Sequence, residues 1–265
     1  MAKTMSGYLI LNDVHGPFDI IGDVHGCFDE LVLLLNKLGY TIEFDRKLER
    51  YQISHDRGHI AVFVGDLVDR GPDSPEVLRL VMDLVEQGKG YCVSGNHDDK
   101  LYRKLLGRNV QVRHGLELTM EQLGKYSNEF VDKVREFLGS LPHHILLDNN
   151  RLVIAHAGLA AHMHGKHGKS IRDLCLYGPT TGALDEKGLP VRLDWAADYS
   201  GKAVVVYGHT PVQEPVWKNN TINIDTGCVF GGKLSALTYP DNVLIAVDAL
   251  TAYAEPMRPF LKNPA

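Results

Sequence analysis

The sequence predicts an α/β fold in which β-sheets are flanked by helices. In the first half, short apolar runs alternate with segments of helical periodicity, a pattern typical of strands that are joined by helices. After Pro142 the apolar runs follow one another, which indicates consecutive strands. Ligands in such folds bind at the loops beyond the carboxyl ends of the strands.

The first half contains predicted strands that each run into a loop with glycine. The strand at residues 18–21 is followed by a helix at 28–38 that carries leucines at helical spacing. A second strand is predicted at 60–64, and the next helix begins at Pro75 and continues through Val85, because proline is favoured in the first turn. A third strand is predicted at 91–93.

The second half is predicted to be helical at first and then rich in strands. Residues 100–138 carry an apolar stripe with Phe130 and Val134, which favours packing against the core. Residues 161–202 lack strong periodicity and are expected to form a long insertion near the site, such as a lid. The predicted strands are 145–147, 152–155, 203–207, 221–224, 234–238 and 243–247.

Length and composition indicate one domain without a membrane segment. The 265 residues can bury one sizeable core, and we expect it at 18–250, with an N-terminal tail at 1–17 and a Pro-rich tail or linker at 251–265. No apolar run approaches the ~18 residues of a membrane span, so no membrane contact is expected. The polar N-terminus lacks the apolar centre of a signal peptide, which predicts a cytoplasmic protein.

Charge and cysteine content exclude several classes of function. The net charge of −5 does not indicate the basic face of a protein that coats long nucleic-acid duplexes. The four cysteines are scattered without a CxxC pair, which argues against a zinc knuckle or a disulfide framework. Metal ions and an arginine could still supply the positive charge that a terminal phosphate needs.

Polar residues follow five of the predicted strands, mostly beside a glycine. Oxygen and imidazole ligands of this kind suit a first-row divalent metal, and one such histidine alone would more often be structural. Because several strand ends carry such residues, the sequence predicts one converging metal site. The candidate ligands are Asp23, His25, Asp66, Asn96, His156 and His209.

The motifs around these residues resemble the phosphoprotein phosphatase branch of the binuclear metallophosphoesterases. The resemblance spans residues 18–247 and implies a β-sandwich flanked by helices, with metal-binding loops at the carboxyl ends of strands. It implies that Asp66 is shared by two divalent ions, one also held by Asp23 and His25 and the other by Asn96, His156 and His209. The matching segments are GDVHG (22–26), GDLVDRGPDS (65–74), GNHD (95–98), HAG (156–158) and GHT (208–210).

The same resemblance implies roles for residues beside the ligands. His97 would be the general acid and Asp69 would orient it, while Arg70 would hold the phosphate, with Asn96 and His97 also in contact with it. A planar guanidinium suits the non-bridging oxygens better than a lysine would. The ligand set of oxygen and nitrogen without a thiolate favours Mn²⁺, with Ni²⁺ or Co²⁺ as alternatives.

Residues 16–39, 176–195 and 222–239 look like the phosphatase module of bacterial polynucleotide kinase-phosphatase, an RNA end-healing enzyme. That resemblance implies RNA 3′ ends or nucleotide phosphate esters as substrates. It also implies kinase and ligase modules of a longer chain and an RNA methyltransferase as partners. Asp225 would belong to the site, although an aspartate before Gly227 could equally form a turn. Neither a P-loop nor a Lys-x-Asp-Gly motif is present in this sequence.

The leading hypothesis is therefore a metal-dependent phosphoesterase that removes 2′,3′-cyclic phosphate and terminal phosphomonoesters from RNA ends by attack of a metal-bound hydroxide. Two alternatives share its motifs, namely a protein serine/threonine phosphatase and a dinucleoside tetraphosphate hydrolase. A non-catalytic binding module is disfavoured, because every candidate ligand is intact together with His97 and Arg70. Residues 161–198 are the region expected to separate the enzymatic alternatives.

Overall fold

The computed structural model describes residues 3–5 and 7–261. Within them the strands are β1 Lys3–Met5, β2 Tyr8–Leu11, β3 Phe18–Ile21, β4 Tyr40–Asp45, β5 Arg50–His55, β6 Ile60–Phe63, β7 Gly90–Cys92, β8 His144–Leu147, β9 Leu152–Ala155, β10 Thr180–Leu184, β11 Pro190–Arg192, β12 Val204–Tyr207, β13 Trp217–Lys218, β14 Thr221–Asn223, β15 Lys233–Tyr239 and β16 Val243–Asp248. The helices are α1 Phe28–Leu38, α2 Ser74–Glu86, α3 Asn96–Leu105, α4 Leu116–Leu123, α5 Asn128–Ser140 and α6 Lys169–Tyr177, and Ala161–Met163 is a short 3₁₀ helix.

Two sheets face each other across a shared core. The first sheet has the strand order β1-β2-β8-β9-β12-β14-β13, and the second has the order β16-β15-β3-β6-β7. Side chains from both sheets fill the space between them: Phe18, Ile20 and Val62 from one, Ile145, Ile154 and Val206 from the other. All six are fully buried. The predicted β-sandwich flanked by helices is confirmed.

Helices α1 and α2 cover the outer face of the five-stranded sheet. Their apolar residues, such as Leu31, Leu35 and Val81, are completely buried with Phe63 of β6 in one cluster. Helix α1 ends at Leu38 and is capped by Gly39, whose φ of 102° only glycine adopts without strain. Helix α2 begins after Asp73, whose carboxylate accepts a hydrogen bond from the backbone N–H of Glu76. The predicted bounds of both helices agree with these to within a residue.

The outer face of the seven-stranded sheet is covered by the segment that sequence analysis left without elements. Within 161–202 the chain forms the 3₁₀ helix, helix α6 and the hairpin β10–β11. Ile171 and Cys175 of α6 pack on Ala155, and Tyr199 packs on Val205. The predicted insertion is thus a folded layer over this sheet.

The two predicted tails contain structure within the described residues. Strand β2 pairs in parallel with β8, so part of the predicted 1–17 tail belongs to the seven-stranded sheet. In the predicted 251–265 tail, Leu261 bridges to Val212, and Phe230 bridges to Ala252. Residues 1, 2, 6 and 262–265 of these tails lie outside the described residues.

The topology brings the carboxyl ends of six strands to one edge of the sandwich. Strands β3, β6 and β7 run parallel to one another, and so do β9, β12 and β14 in the other sheet. The loops that follow them carry the predicted ligands. Among the described residues, no helix combines the length and the apolar character that crossing a membrane would require.

Candidate metal centre

The predicted ligands converge at the edge where the parallel strands end. Each lies within a few residues of a strand end: Asp23 and His25 after β3, Asp66 after β6, Asn96 after β7, His156 after β9 and His209 after β12. Asp23, His25, Asp66 and His156 are each no more than 5% exposed. Such burial of polar groups is unfavourable unless they are paired or bind an ion.

Asp66 lies between two groups of ligand atoms. Its Oδ2 is 3.6 Å from Nε2 of His25 and 3.4 Å from Nε2 of His156. Within each group, His25–Asp66–His97 and Asp66–His156–His209, the potential ligand atoms lie within 4.8 Å of one another. One carboxylate therefore serves both groups, as the sequence resemblance implied for Asp66. The first group contains His97, whereas the resemblance implied Asp23 beside His25 and Asp66.

Backbone carbonyls orient the two histidines beside Asp66. Nδ1 of His25 lies 2.7 Å from the carbonyl oxygen of Val68, and Nδ1 of His156 lies 3.1 Å from that of Val64. Because a carbonyl oxygen only accepts, each Nδ1–H donates and each Nε2 turns toward the centre. Hydrogen bonds of this kind fix the tautomer of metal-binding histidines.

The second group includes an amide and a further imidazole. Nε2 of His156 is 3.1 Å from Oδ1 of Asn96 and 3.0 Å from Nδ1 of His209. Nε2 of His209 is buried without a hydrogen-bond partner. These contacts leave nitrogen and oxygen lone pairs directed at one another, which is unfavourable unless a proton or a cation lies between them.

Carboxylates crowd the same edge. Burial, and then the charges of Asp225 and Asp66, raise the pKa of Asp23 well above its usual value. Burial raises the pKa of Asp225 to about 6. Burial also acts to raise the pKa of Asp66, but His156 and His97 outweigh it and hold the pKa of that carboxyl well below its usual range. Divalent cations would relieve this repulsion, so the residues present fit two such ions.

His97 is held by a buried carboxylate. Its Nδ1 lies 2.6 Å from Oδ2 of Asp69, and Oδ1 of Asp69 accepts a hydrogen bond of 2.7 Å from Oγ1 of Thr119. Asp69 is completely buried. The ionised carboxylate can only accept, so Nδ1 of His97 carries the proton and Nε2 faces the site. This contact has the geometry in which Asp69 would orient His97.

Arg70 reaches into the first group of ligand atoms. Its guanidinium NH1 lies 2.6 Å from Nε2 of His25, and NH2 lies 2.8 Å from Nε2 of His97. The guanidinium also lies over the ring of Phe230, 5.3 Å from its centroid. The predicted phosphate-binding side chain is therefore aimed at the same point as the predicted ligands and general acid.

The loops of the site hold unfavourable backbone conformations. A positive φ, which costs free energy for a residue other than glycine, occurs at five site residues: His25 (47°), Asp66 (50°), Asp69 (75°), Arg70 (72°) and His209 (75°). Close approach of the loops requires small neighbours, because a Cβ on Gly208 would lie 2.0 Å from Oδ1 of Asp23. A Cβ on Gly95 would lie 2.2 Å from Oδ1 of Asp66.

Asp225 combines the two interpretations that the sequence left open. Its Oδ1 accepts a hydrogen bond of 3.0 Å from the backbone N–H of Gly227, so it does form a turn. It is also buried at 4% exposure, and its charge raises the pKa of Asp23. The carboxylate therefore lies close to the predicted metal ligands as well.

Three residues that the sequence analysis did not single out support the site. Asp98 accepts hydrogen bonds of 2.8, 2.9 and 2.9 Å from the backbone N–H groups of Asp66, Leu67 and Gly95, and so ties two ligand loops together. Its place in the GNHD segment was the available signal. Thr119 lies on α4, where nothing in the sequence links it to Asp69.

Arg192 is the third of these residues. It ends strand β11, and its NH1 donates a hydrogen bond to the carbonyl oxygen of Tyr177. Burial, and then the charges of His156 and Arg192, hold the pKa of His209 well below its usual value. A second guanidinium therefore lies within electrostatic reach of the centre. It comes from the segment without strong periodicity, so spacing could not reveal it.

The profile of one protein family, the calcineurin-like phosphoesterases, matches residues 16–222, which include every predicted ligand. The chain belongs to the calcineurin-like phosphoesterase family. It is therefore an enzyme, a metal-dependent phosphoesterase, and the family is typically binuclear.

Two curated relatives are similar to this phosphoesterase over nearly its whole length. A protein of Anoxybacillus flavithermus is 48% identical over 96% of this chain and 99% of its own, and one of Bacillus subtilis is 46% identical over 94% and 97%. Both are named bis(5′-nucleosyl)-tetraphosphatase PrpE [asymmetrical]. The resemblance to the metallophosphoesterases is thus confirmed, whereas these names do not support a polynucleotide kinase-phosphatase module.

Solved structures share the fold. One that is provisionally named a diadenosine tetraphosphatase aligns with a TM-score of 0.64 and 28% identity over 92% of this chain and 99% of its own. A protein serine/threonine phosphatase from Saccharomyces cerevisiae aligns with a TM-score of 0.59 over 95% of this chain and 84% of its own. Its 18% identity supports the fold alone.

Proposed function

We propose that this phosphoesterase hydrolyses dinucleoside tetraphosphates away from the centre of the phosphate chain, which yields a nucleoside monophosphate and a nucleoside triphosphate. The observation that carries the proposal is the sequence identity of 44 to 48% to eight bacterial proteins that are named bis(5′-nucleosyl)-tetraphosphatase PrpE [asymmetrical]. Among the alternatives raised by the sequence, the dinucleoside tetraphosphate hydrolase therefore has more support than the RNA end-healing phosphatase.

The convergent ligands carry the chemistry of this proposal. Asp23, His25 and Asp66 would hold one divalent ion, and Asp66, Asn96, His156 and His209 would hold the other. Two such ions neutralise the phosphate charge and activate the attacking water. Mn²⁺ suits the donor set, because it contains carboxylate, amide and imidazole but no thiolate, and Ni²⁺ and Co²⁺ are the alternatives.

The remaining polar residues would act on the substrate. Arg70 points its NH1 and NH2 groups into the site, where they can hold non-bridging phosphate oxygens. His97, whose Nδ1–H is held by Asp69, would give a proton to the leaving oxygen from Nε2 when its ring is doubly protonated. A tetraphosphate extends beyond one phosphate position, and Arg192 offers positive charge for its neighbouring phosphates.

A substrate panel tests the proposal. The protein, supplied with Mn²⁺, would be incubated with diadenosine tetraphosphate, 2′,3′-cyclic AMP, an RNA with a 2′,3′-cyclic end and a phosphoserine peptide, and the products separated by chromatography. We expect the tetraphosphate to be hydrolysed at the highest kcat/KM, with AMP and ATP in equal amounts. Faster turnover of the RNA end or of the peptide would replace the proposal with the corresponding alternative.

A further inference from the structure

A cavity lies beside the metal centre, in the layer over the seven-stranded sheet. Its volume is about 520 Å³, which is within the usual range for small-molecule sites. Its wall begins at Gly158, two residues after the predicted ligand His156. Because an extended chain advances at most about 3.6 Å per residue, the Cα atom of Gly158 lies within about 7 Å of the Cα atom of His156.

The cavity contains a fixed aromatic surface. Trp195 lines it, and its ring is held by Tyr199 and Tyr207, whose ring centroids lie 5.9 and 4.9 Å away. The indole also lies against backbone, since a Cβ on Gly158 would be 1.9 Å from its Cζ2. Leu159, Leu193 and other apolar side chains supply much of the remaining wall. Such a surface suits a flat heterocycle, because bases stack on aromatic side chains irrespective of sequence.

The cavity and the surroundings of the metal centre differ in charge. Asp194 and Asp198 line the cavity, and Asp194 forms an ion pair with Lys218. The carboxylate of Asp198 disfavours phosphate groups there, whereas its oxygens can accept hydrogen bonds from the amine of a base. Arg192 directly precedes the cavity residue Leu193, and a Cβ on Gly178 would lie 3.8 Å from its NH1 and 3.6 Å from Cβ of Ala157, the residue that follows His156. A nucleotide is therefore favoured with its base in the cavity and its phosphates toward Arg192, Arg70 and the predicted metal ligands.

We infer that this cavity is a nucleobase subsite, in which Trp195 stacks on one base of a dinucleoside tetraphosphate. The inference rests on the proposed function. Because the wall of the cavity begins two residues after His156, a base that is bound there leaves its own α-phosphate as the phosphate nearest to the centre. The oxygen of water forms a bond to this phosphorus, the bond to the oxygen that bridges to the β-phosphorus breaks, and the leaving nucleoside triphosphate or the solvent takes the proton. The position of the base thus selects off-centre cleavage.

The test compares two inhibitors that differ only in the base. AMP and ribose 5-phosphate would be assayed as competitive inhibitors of diadenosine tetraphosphate hydrolysis by the Mn²⁺-loaded protein. We expect the inhibition constant of AMP to be at least about tenfold lower in the native chain. Trp195→Ala should abolish that preference, and Trp195→Phe should keep most of it. Ala160→Trp, which fills the cavity without removing the indole, should also abolish it and raise KM for the tetraphosphate.

The second tryptophan of the chain provides the control. Trp217 is 38% exposed and does not line the cavity, so Trp217→Ala should leave the AMP preference unchanged. If the native protein hydrolyses the tetraphosphate but shows equal inhibition by both compounds, the subsite inference is overturned and the proposed function stands. The subsite inference is also overturned if Trp195→Ala and Ala160→Trp both keep the preference for AMP. If the native protein does not hydrolyse the tetraphosphate, the proposed function fails and the inference falls with it.

Discussion

The contact between His97 and Asp69 explains how one histidine of the site can act on the leaving group. Asp69 is fully buried and accepts from both His97 and Thr119, so the imidazole has one orientation and one tautomer. Its Nε2 faces the point at which Arg70 is also aimed, and a second proton on this nitrogen is the one that the ring can give. A proton donor fixed beside a phosphate-binding guanidinium matters most when the leaving oxygen is strongly basic.

The change His97→Ala tests this assignment. We expect kcat for an alkyl phosphate ester to fall by about 10²–10⁴-fold and kcat for 4-nitrophenyl phosphate to fall much less, because the aryl oxygen leaves without a proton. Steady-state kinetics on both esters, with metal content measured in parallel, provide the comparison. An equal loss on both esters at unchanged metal content would instead assign His97 to phosphate binding.

Thr119 is expected to act as a positioning residue. Thr119→Val removes the hydroxyl that donates to Asp69 and keeps the side-chain volume. We expect kcat to fall about tenfold, the value of one hydrogen bond to a charged group, with little change in KM. Thr119→Ser retains the hydroxyl and should recover most of kcat. An unchanged kcat in the valine variant, together with a loss in the serine variant, would show that packing of the methyl group, and not the hydrogen bond, is what matters.

The ligands could be anticipated from the sequence because each follows an apolar strand, and their side chains do meet in the structure. The roles of Asp98, Thr119 and Arg192 in the site could not be anticipated from the sequence. Asp98 acts through backbone N–H groups of other loops, Thr119 approaches Asp69 from a helix 50 residues further along the chain, and Arg192 lies in a segment without periodicity. Contacts that depend on tertiary structure leave no mark on spacing.

Among the secondary-structure elements, buried ones were predicted most closely, whereas two partly or fully exposed hairpins were not predicted. The strands Phe18–Ile21 and Leu152–Ala155 are buried at every residue, and α1 carries a regular apolar face, so their bounds could be derived. The hairpin β4–β5 packs partly on α2 but leaves most of its residues partly or fully exposed. Tyr40, Ile42 and Phe44 of β4 do alternate with polar residues, a signal that the sequence analysis did not assign to a strand. Every residue of β10 is exposed, so no buried apolar face indicates that strand.

The turn between β8 and β9 fastens the two sheets to each other through Asp148. Its carboxylate accepts hydrogen bonds of 2.7 Å from Tyr239 of β15 and from Arg151, and it lies 2.9 Å from Nδ1 of His15. Burial acts to raise the pKa of Asp148, but hydrogen bonds from Arg151, His15 and Tyr239 outweigh it and lower the pKa to about 2. The ionised form is therefore favoured by folding.

The change Asp148→Asn should destabilise the protein in a pH-dependent way. A carboxyl whose pKa is lowered by folding stabilises the folded state above its unfolded pKa of about 4, and that stabilisation disappears as the pH falls through about 2. We expect a loss of about 1–3 kcal/mol at pH 7. Urea unfolding of both proteins between pH 7 and pH 3 would measure it. A difference between them that does not shrink as the pH is lowered would contradict this role.

For the molecule as a whole, the metal ions are expected to stabilise the fold as well as to supply the chemistry. The carboxylates of Asp23, Asp66 and Asp225 lie close together at the edge of the sandwich, so bound cations remove repulsion that the apoprotein retains. Chelation should abolish activity and lower Tm, and Mn²⁺ should restore both in proportion to its concentration. Full activity in a protein that metal analysis finds free of metal would exclude a metal centre.

Hydrolysis of diadenosine tetraphosphate in ¹⁸O-labelled water tests the central claim most directly. Mass spectrometry of the products reports both where the phosphate chain is cut and which phosphorus the water attacks. With the base in the cavity and the α-phosphate at the metal centre, the account predicts AMP and ATP in equal amounts, with the label in AMP. Two molecules of ADP, or AMP and ATP with the label in ATP, would contradict it.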